Sequence, residues 1–169
     1  MKRLPHPFIA SLALIATLSG CGLRPLYGGG SSGTVATTLA HIEVAPISGK
    51  AGWLMANALR DRLGADGPAQ YQLVVKLDDQ ITGLGARRDN TVTRERRTLR
   101  ARYQLVDLAH GTTLLDATAG SDAGIDVVGS EYATIAAENS ALERLSGIVA
   151  DQIVSRVALY VDRTPSAAR

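Results

Sequence analysis

Two consecutive stretches of this sequence alternate between apolar and polar residues, and this pattern constrains the fold more than any other. The alternating apolar positions of 71–81 are Tyr71, Leu73, Val75, Leu77 and Ile81. Those of 91–107 are Leu99, Ala101, Tyr103 and Leu105. Successive strand residues point to opposite faces of a sheet, so each stretch predicts a strand with one buried side. The glycines and charges of 83–90 predict a hairpin loop between the two strands.

The flanking segments predict two helices and two further strands. A short strand is expected at about 39–44, and a helix from Ser48 to about Leu63, with Gly64 after its C-terminus. His110-Gly111 precedes a strand at about 112–119, and an apolar stripe predicts a long helix over about 131–160. The order β-α-β-β-β-α favours an α+β, two-layer sandwich with both helices packed on one face of a four-stranded sheet. This single domain is expected to span 39–163, and 164–169 to form a disordered tail.

The N-terminus has the features of an export signal. Lys2 and Arg3 precede an apolar run from Phe8 to Leu18, which is too short to span a bilayer. Leu-Ser-Gly-Cys then ends at Cys21, the typical lipobox of bacterial lipoproteins. Residues 1–20 are therefore predicted to be a lipoprotein signal peptide, and Cys21 to carry a diacylglycerol and an N-acyl chain. The alternative is an ordinary signal peptide with an incidental cysteine. Residues 21–38 are rich in Gly, Ser and Thr and predict a flexible tether.

Charge is unevenly distributed along the chain. Without Lys2 and Arg3, the 18 basic residues fall to 16, which equals the number of acidic residues. Arginines nevertheless concentrate in 87–102, where only Asp89 and Glu95 are acidic. A neutral chain with one basic segment favours a local anionic partner over general adhesion to nucleic acid.

The polar face of the 91–107 strand carries the best candidate site. Arg94, Arg96, Arg100 and Arg102 share that face, where residues two apart lie about 6.5–7 Å from one another, and Arg87 and Arg88 lie in the adjoining loop. A guanidinium group binds a phosphate or carboxylate through two hydrogen bonds. No acidic residue is expected beside the four arginines of this strand, here called the arginine ladder. The sequence predicts binding of a glycolipid phosphate or of acidic loops of a partner protein. The alternative is a solvated sheet face whose charges discourage edge pairing.

Other residues suggest no catalytic site and no metal site. His41 and His110 lack the spacing of metal ligands, and neighbouring Asp78 and Asp79 should point to opposite faces of a strand. We therefore expect no enzyme activity and no cofactor beyond the acyl chains on Cys21. Trp53 is either an exposed anchor for a partner or, if the helix starts after Gly52, a cover over the core; the second is favoured.

Three segments resemble the lipopolysaccharide-assembly lipoprotein family (LptE-like), the partner of the outer-membrane lipopolysaccharide translocon. The first is Cys21-Gly22-Leu23-Arg24-Pro25-Leu26-Tyr27-Gly28. The second is Gly52 with Leu54, Leu59 and Asp61-Arg62-Leu63 in the first helix. The third is Ser130-Glu131-Tyr132-Ala133, opening a last helix that contains Ala137, Ala141 and Arg144.

This resemblance implies a non-enzymatic protein of the outer membrane, anchored through Cys21 and facing the periplasm. It would bind a large β-barrel translocon, support its assembly and help insert lipopolysaccharide into the outer leaflet. The resemblance assigns no residue except Cys21, so the arginine ladder rests on charge and spacing alone. Two alternatives stay open: an auxiliary lipoprotein of an ABC-type phospholipid-transport system, and a lipid-anchored hydrolase dependent on His41 or His110.

Overall fold

The computed structural model describes residues 33–64, 67–86 and 92–164. Its elements, in chain order, are α1 (Thr34–Ala40), β1 (Ile42–Val44), α2 (Gly49–Leu63), β2 (Tyr71–Ala86), β3 (Val92–Asp107), β4 (Thr112–Asp126) and α3 (Glu131–Arg163). The predicted α+β class is confirmed, and α1 is an addition to the predicted order. Within the described residues, no helix is both long enough and apolar enough to cross a membrane.

The described strands form one mixed sheet in the order β1-β2-β3-β4. β1 pairs parallel with β2, whereas β2, β3 and β4 form an antiparallel meander. The hairpin strands are longer than predicted, because β2 continues to Ala86 and β4 to Asp126. Their extra residues lie opposite β3, as in the Arg94–Asp126 pair. Pairing with a long neighbouring strand thus outweighs the weak strand propensity of Gly120 and Gly124.

The predicted apolar side of β3 is confirmed as the core side of the sheet. Its residues Leu99, Ala101, Tyr103 and Leu105 are buried. The stripe of α3 that covers them includes Leu142, Leu145, Val149, Ile153 and Val157, all buried as well. Both long helices lie on this side, so the opposite side, here called the outer face, has no helix packed on it among the described residues.

Helices α2 and α3 run parallel to each other, held by two polar contacts. Lys50 Nζ donates to Asn139 Oδ1 at 2.6 Å, and Arg62 Nε donates to Asp151 Oδ1 at 2.5 Å. Both pairs are separated by 89 positions in sequence, so the helices keep a constant offset. Gly64 ends α2 in the left-handed conformation with φ 62°, as its position predicts.

The N-terminal boundary of the folded domain differs from the predicted one. Residues 34–40 form α1, whereas the sequence predicts a tether up to residue 38 and a strand from residue 39. The reason is that Val35 and Leu39, one helical turn apart, are both buried, and α1 packs against α3 and α2. The first strand is therefore limited to Ile42–Val44. The predicted signal peptide, Cys21 and residues 165–169 of the predicted tail lie outside the described residues.

Candidate anion-binding face of the sheet

The outer face carries the predicted arginine ladder. Arg94, Arg96, Arg100 and Arg102 occupy alternate positions of β3, opposite in parity to its buried residues, and all four are exposed. Arg87 and Arg88, also predicted to contribute, lie outside the described residues. The structure therefore brings four of the six candidate arginines onto one surface.

The expectation that this ladder has no nearby acids is wrong. Arg94 Nε lies 3.3 Å from Asp126 Oδ1, and Arg96 Nε lies 4.0 Å from Asp122 Oδ2. Both aspartates belong to the part of β4 that the sequence did not predict as strand. Their even numbering, shared with Asp116, is the sequence signal that could have placed them on the outer face.

Arg102 makes the best-formed of these ion pairs. Its Nε and Nη2 donate to the two oxygens of Asp116 at 3.1 and 2.8 Å, and Gln104 adds a third donor at 2.8 Å. These hydrogen bonds, first that of Arg102 and then that of Gln104, lower the pKa of Asp116 to about 2. The same contact raises the pKa of Arg102. This arginine is therefore already committed to a carboxylate of its own chain.

Two glycines of β4 make room for arginine side chains on the outer face. A Cβ atom on Gly120 would lie 2.7 Å from Arg100 Cδ and 3.0 Å from its Nη1. A Cβ atom on Gly124 would lie 3.5 Å from Arg94 Nε. Arg100 thus lies flat across β4 at Gly120, where any larger residue would displace it.

Lys76 and Arg100 are the two cations at the centre of the outer face without an ion pair to any described carboxylate. Lys76 stands opposite Arg102 in the β2–β3 register, and Arg100 stands opposite Asp78. Together with Arg102, Thr118 and the carboxylate of Asp78 they line an open depression of about 560 Å³. Lys76 is out of step with the apolar positions Leu73, Val75 and Leu77, and this alternation is the sequence signal that could have placed it on the outer face. This depression therefore holds two cations outside any ion pair and one carboxylate, Asp78, which leaves it net positive.

The seventh arginine of the basic segment, Arg97, lies on the core side of the sheet. It pairs with Asp79, whereas Asp78 on the outer face accepts hydrogen bonds from Gln80. The prediction that Asp78 and Asp79 point to opposite faces is confirmed. Arg97 has the parity of the buried residues of β3, which is the signal that could have separated it from the ladder.

The two histidines make separate local contacts. His41 Nδ1 lies 3.0 Å from the Pro68 carbonyl oxygen, and His110 Nδ1 lies 2.7 Å from Asp107 Oδ2 in the β3–β4 turn. Across the residues that the structure describes, no group of three His, Cys, Asp or Glu side chains could hold a metal ion.

Trp53 is exposed. Helix α2 begins at Gly49, before Trp53, and the residue is 64% accessible to solvent. The favoured expectation that Trp53 covers the core is therefore wrong, and the alternative of an outward-facing residue describes its position.

Solved structures share this fold. A protein described as a lipoprotein from Caulobacter crescentus CB15 is 25% identical, with a TM-score of 0.67, and the match covers 78% of this chain and 98% of that one. Rare lipoprotein B from Shewanella oneidensis is 10% identical, with a TM-score of 0.60 and coverage of 73% and 96%. A minor lipoprotein from Acinetobacter baumannii is 16% identical, with a TM-score of 0.55 and coverage of 70% and 88%.

The sequence itself gives the family assignment. No curated protein matches the chain. The family model for lipopolysaccharide assembly, LptE, matches residues 39–157, which include both long helices in large part and all four strands. The chain therefore belongs to the LptE family of lipopolysaccharide-assembly proteins.

Proposed function

We propose that this protein is a lipid-anchored component of the outer membrane that faces the periplasm and binds a large β-barrel translocon. It supports assembly of that barrel and helps insert lipopolysaccharide into the outer leaflet, without a catalytic step of its own. The observation that carries this proposal is the family match over residues 39–157. The same match favours this function over an auxiliary role in phospholipid transport.

The outer face suits the anionic part of such a lipid. Lys76 and Arg100 form no ion pair with a described carboxylate, and Asp78, Arg102 and Thr118 border the same depression, which stays net positive. A phosphate there would accept charge-assisted hydrogen bonds, each worth about 1.5–3 kcal/mol. Arg94 and Arg96 contribute less, because Asp126 and Asp122 already lie beside them.

Anchoring rests on Cys21. Acyl chains contribute about 0.8 kcal/mol for each buried CH₂, so two or three chains hold a protein on a membrane effectively permanently. Gly22 rather than an aspartate follows the cysteine, which by the sorting rule of such lipoproteins favours the outer membrane. We expect Cys21→Ala to leave the precursor uncut and without lipid. Mass spectrometry that finds a normally acylated and processed variant would contradict the anchor.

Glycolipid binding is tested with two matched double variants of the full-length protein in detergent. We expect Lys76→Gln with Arg100→Gln to weaken binding of phosphorylated lipid A about tenfold or more. Arg94→Gln with Arg96→Gln removes the same charge from the same face and should have a much smaller effect. Dephosphorylated lipid A should bind equally to both variants and to the parent.

Three outcomes would contradict the assignment of this depression. If both pairs weaken binding equally, only the general charge of the face matters. If neither does, and the quadruple change of Arg94, Arg96, Arg100 and Arg102 to Gln also has no effect, the outer face is a solvated surface. If the quadruple variant keeps lipid but no longer co-purifies with a β-barrel from solubilised membranes, the outer face docks the partner protein instead.

A further inference from the structure

Strand β4 forms a long open edge of the sheet. It is the last strand in the sheet order, and no strand lies beyond it in the described part of the chain. Two contacts show which backbone groups face outwards. The Gly120 N–H donates to Gln152 Oε1 at 3.1 Å, away from β3, whereas the Val127 N–H donates to the Thr93 carbonyl at 3.0 Å.

The β3–β4 register is regular from Asp116 to Asp126, so alternate residues of this stretch have the same orientation as Gly120. The residues whose N–H and C=O groups face the open edge are Asp116, Thr118, Gly120, Asp122, Gly124 and Asp126. An exposed edge of this length is a template for pairing with another extended chain.

A groove runs between this edge and helix α3. Its first part, of about 420 Å³, is lined by Ala117 and Ala119 of β4 and by Gln152 and Arg156 of the helix. A second part, of about 300 Å³, shares Arg156 and continues along Leu159, Tyr160 and Arg163. The small alanine side chains keep the groove open beside the strand. An open strand edge next to a helix is the geometry that receives peptides by strand addition in several domain families.

The charges around the groove are positive on both sides of the edge. Arg156 and Arg163 lie on the helix side, and Arg100 reaches across Gly120 from the outer face. None of the three has an ion pair with a carboxylate of the described residues. The aspartates of β4 do not neutralise these arginines, because Asp116 and Asp122 face Arg102 and Arg96 instead.

We propose that the β4 edge and the groove beside α3 dock an extended, acidic polypeptide segment of a partner protein, which adds to the sheet as a further strand. Side chains on one face of that segment would pass over Ala117 and Ala119 towards Arg156. Those on its other face would lie beside Gly120, within reach of Arg100. Gln152 occupies one of the outward N–H groups and must withdraw when the segment binds.

A second copy of this chain fits the edge less well. The acidic residues of a second β4, such as Asp116 and Asp122, are already paired with Arg102 and Arg96 and are not available to Arg156 and Arg163.

The groove adjoins the depression of the lipid proposal, which Arg100, Thr118 and Gln152 also line. Arg156 and Arg163 border the groove alone, so changing them tests the docked segment separately from the lipid.

The test uses the full-length protein in detergent and a blocked peptide of about nine residues that alternates glutamate and valine. We expect saturable binding, with slower hydrogen exchange at the amides of Thr118, Asp122 and Gly124. The control peptide has the same side chains but carries N-methyl groups on alternate amides, which removes the strand-pairing donors. It should bind at least tenfold more weakly.

Two variants distinguish strand addition from simple ionic attraction. Arg156→Gln combined with Arg163→Gln should lower the affinity for the peptide about tenfold. Gln152→Ala frees the Gly120 N–H and should tighten binding about threefold or more, because the peptide no longer competes with the side chain. Thr118→Pro removes an outward N–H that no strand uses, so the domain should keep its melting temperature but lose the peptide. Thr118→Ala should keep both.

Three results would overturn the inference. The first is no saturable binding at about 1 mM peptide. The second is equal affinity for the N-methylated peptide, which would indicate charge attraction alone. The third is protection of the same amides by vesicles of phosphatidylglycerol but not by peptide, which would assign the groove to an anionic lipid surface.

Discussion

Arg97 holds Asp79 in a two-point ion pair on the core side of the sheet. Its Nε and Nη2 lie 2.8 and 2.5 Å from the two carboxylate oxygens, and its Nη1 donates to the Glu138 carbonyl at 2.9 Å. One side chain thus connects β3 with β2 and with the N-terminal half of α3. The hydrogen bond to Asp79 raises the pKa of Arg97 against the opposing effect of burial.

Breaking this pair should destabilise the domain. Arg97→Met removes the hydrogen-bond partner of Asp79, whose side chain is 22% exposed, and should cost about 1–3 kcal/mol in the free energy of unfolding. Urea denaturation measures the loss. The exposed neighbour Arg96 is the matched control, and Arg96→Met should change stability by less than about 0.5 kcal/mol. Arg97→Met combined with Asp79→Leu should recover much of the loss, and no recovery would show that the salt bridge is not its cause.

The alternation of residues along β3 made it possible to predict from sequence which of its side chains are buried and which are exposed. The alternation that buries Leu99 and Tyr103 also exposes Arg100 and Arg102, because a strand has only two faces. The same parity places Arg97 with the buried residues. Its partner Asp79 could not be identified, since the pairing depends on the register across a hairpin whose strands extend further than the glycines of 83–90 suggest.

Local sequence patterns could not predict the acidic residues beside the arginine ladder, and they could not predict helix α1. Asp122 and Asp126 lie in a glycine-containing stretch that becomes strand only because β3 is there to pair with it. Helix α1 has few turns and sits in a segment rich in Ser, Thr and Gly, and its Val35 and Leu39 are buried only by contacts with distant helices. Tertiary contacts decide both cases.

Two helical glycines should respond oppositely to alanine. A Cβ atom on Gly52 would lie 2.5 Å from the Ile47 carbonyl oxygen, so Gly52→Ala must displace backbone and should cost about 1–3 kcal/mol. A Cβ atom on Gly147 would meet Arg62 Nη2 at 3.6 Å, an ordinary contact. Gly147→Ala should therefore stabilise the domain by up to about 1 kcal/mol, because alanine favours helix. Thermal denaturation of the two variants side by side checks the signs.

The Arg102–Asp116 pair predicts a dependence of stability on acid. The pKa of Asp116 is lowered from 3.8 to about 2 in the folded protein, so the unfolded chain binds its proton first as the pH falls. The stabilising contribution is present above about pH 4 and is lost towards pH 2. Arg102→Gln should return the pKa of Asp116 towards 3.8, as followed by NMR titration of its carboxyl carbon.

Stability measurements provide the second readout of this pair. The difference in urea midpoint between the parent and Arg102→Gln should shrink as the pH falls from about 4 to about 2. Arg96→Gln is the control, because its distance to Asp122 is 4.0 Å and it makes no two-point contact. A difference in midpoint that stays constant across this range would mean that the Arg102 contact does not depend on the ionised form of Asp116.

The N-terminal helix should be part of the stable domain. A soluble chain beginning at Ser31 retains α1, whereas one beginning at Leu39, the boundary that the sequence favours, loses it. The shorter chain no longer buries Val35 or Thr38 and exposes the apolar surface of α3 and α2 beneath them. We expect it to be less stable by about 1–3 kcal/mol, the range for burying one aliphatic side chain.

Point variants of the longer chain separate packing from a mere change of length. Val35→Ala should lower the urea midpoint by itself, because Val35 is buried, whereas Thr37→Ala on the exposed side of α1 should leave it nearly unchanged. Far-UV circular dichroism should show the folded spectrum for all of these chains at low urea. If the chain from Leu39 unfolds at the same urea concentration as the chain from Ser31, α1 contributes no stability and the domain begins at β1.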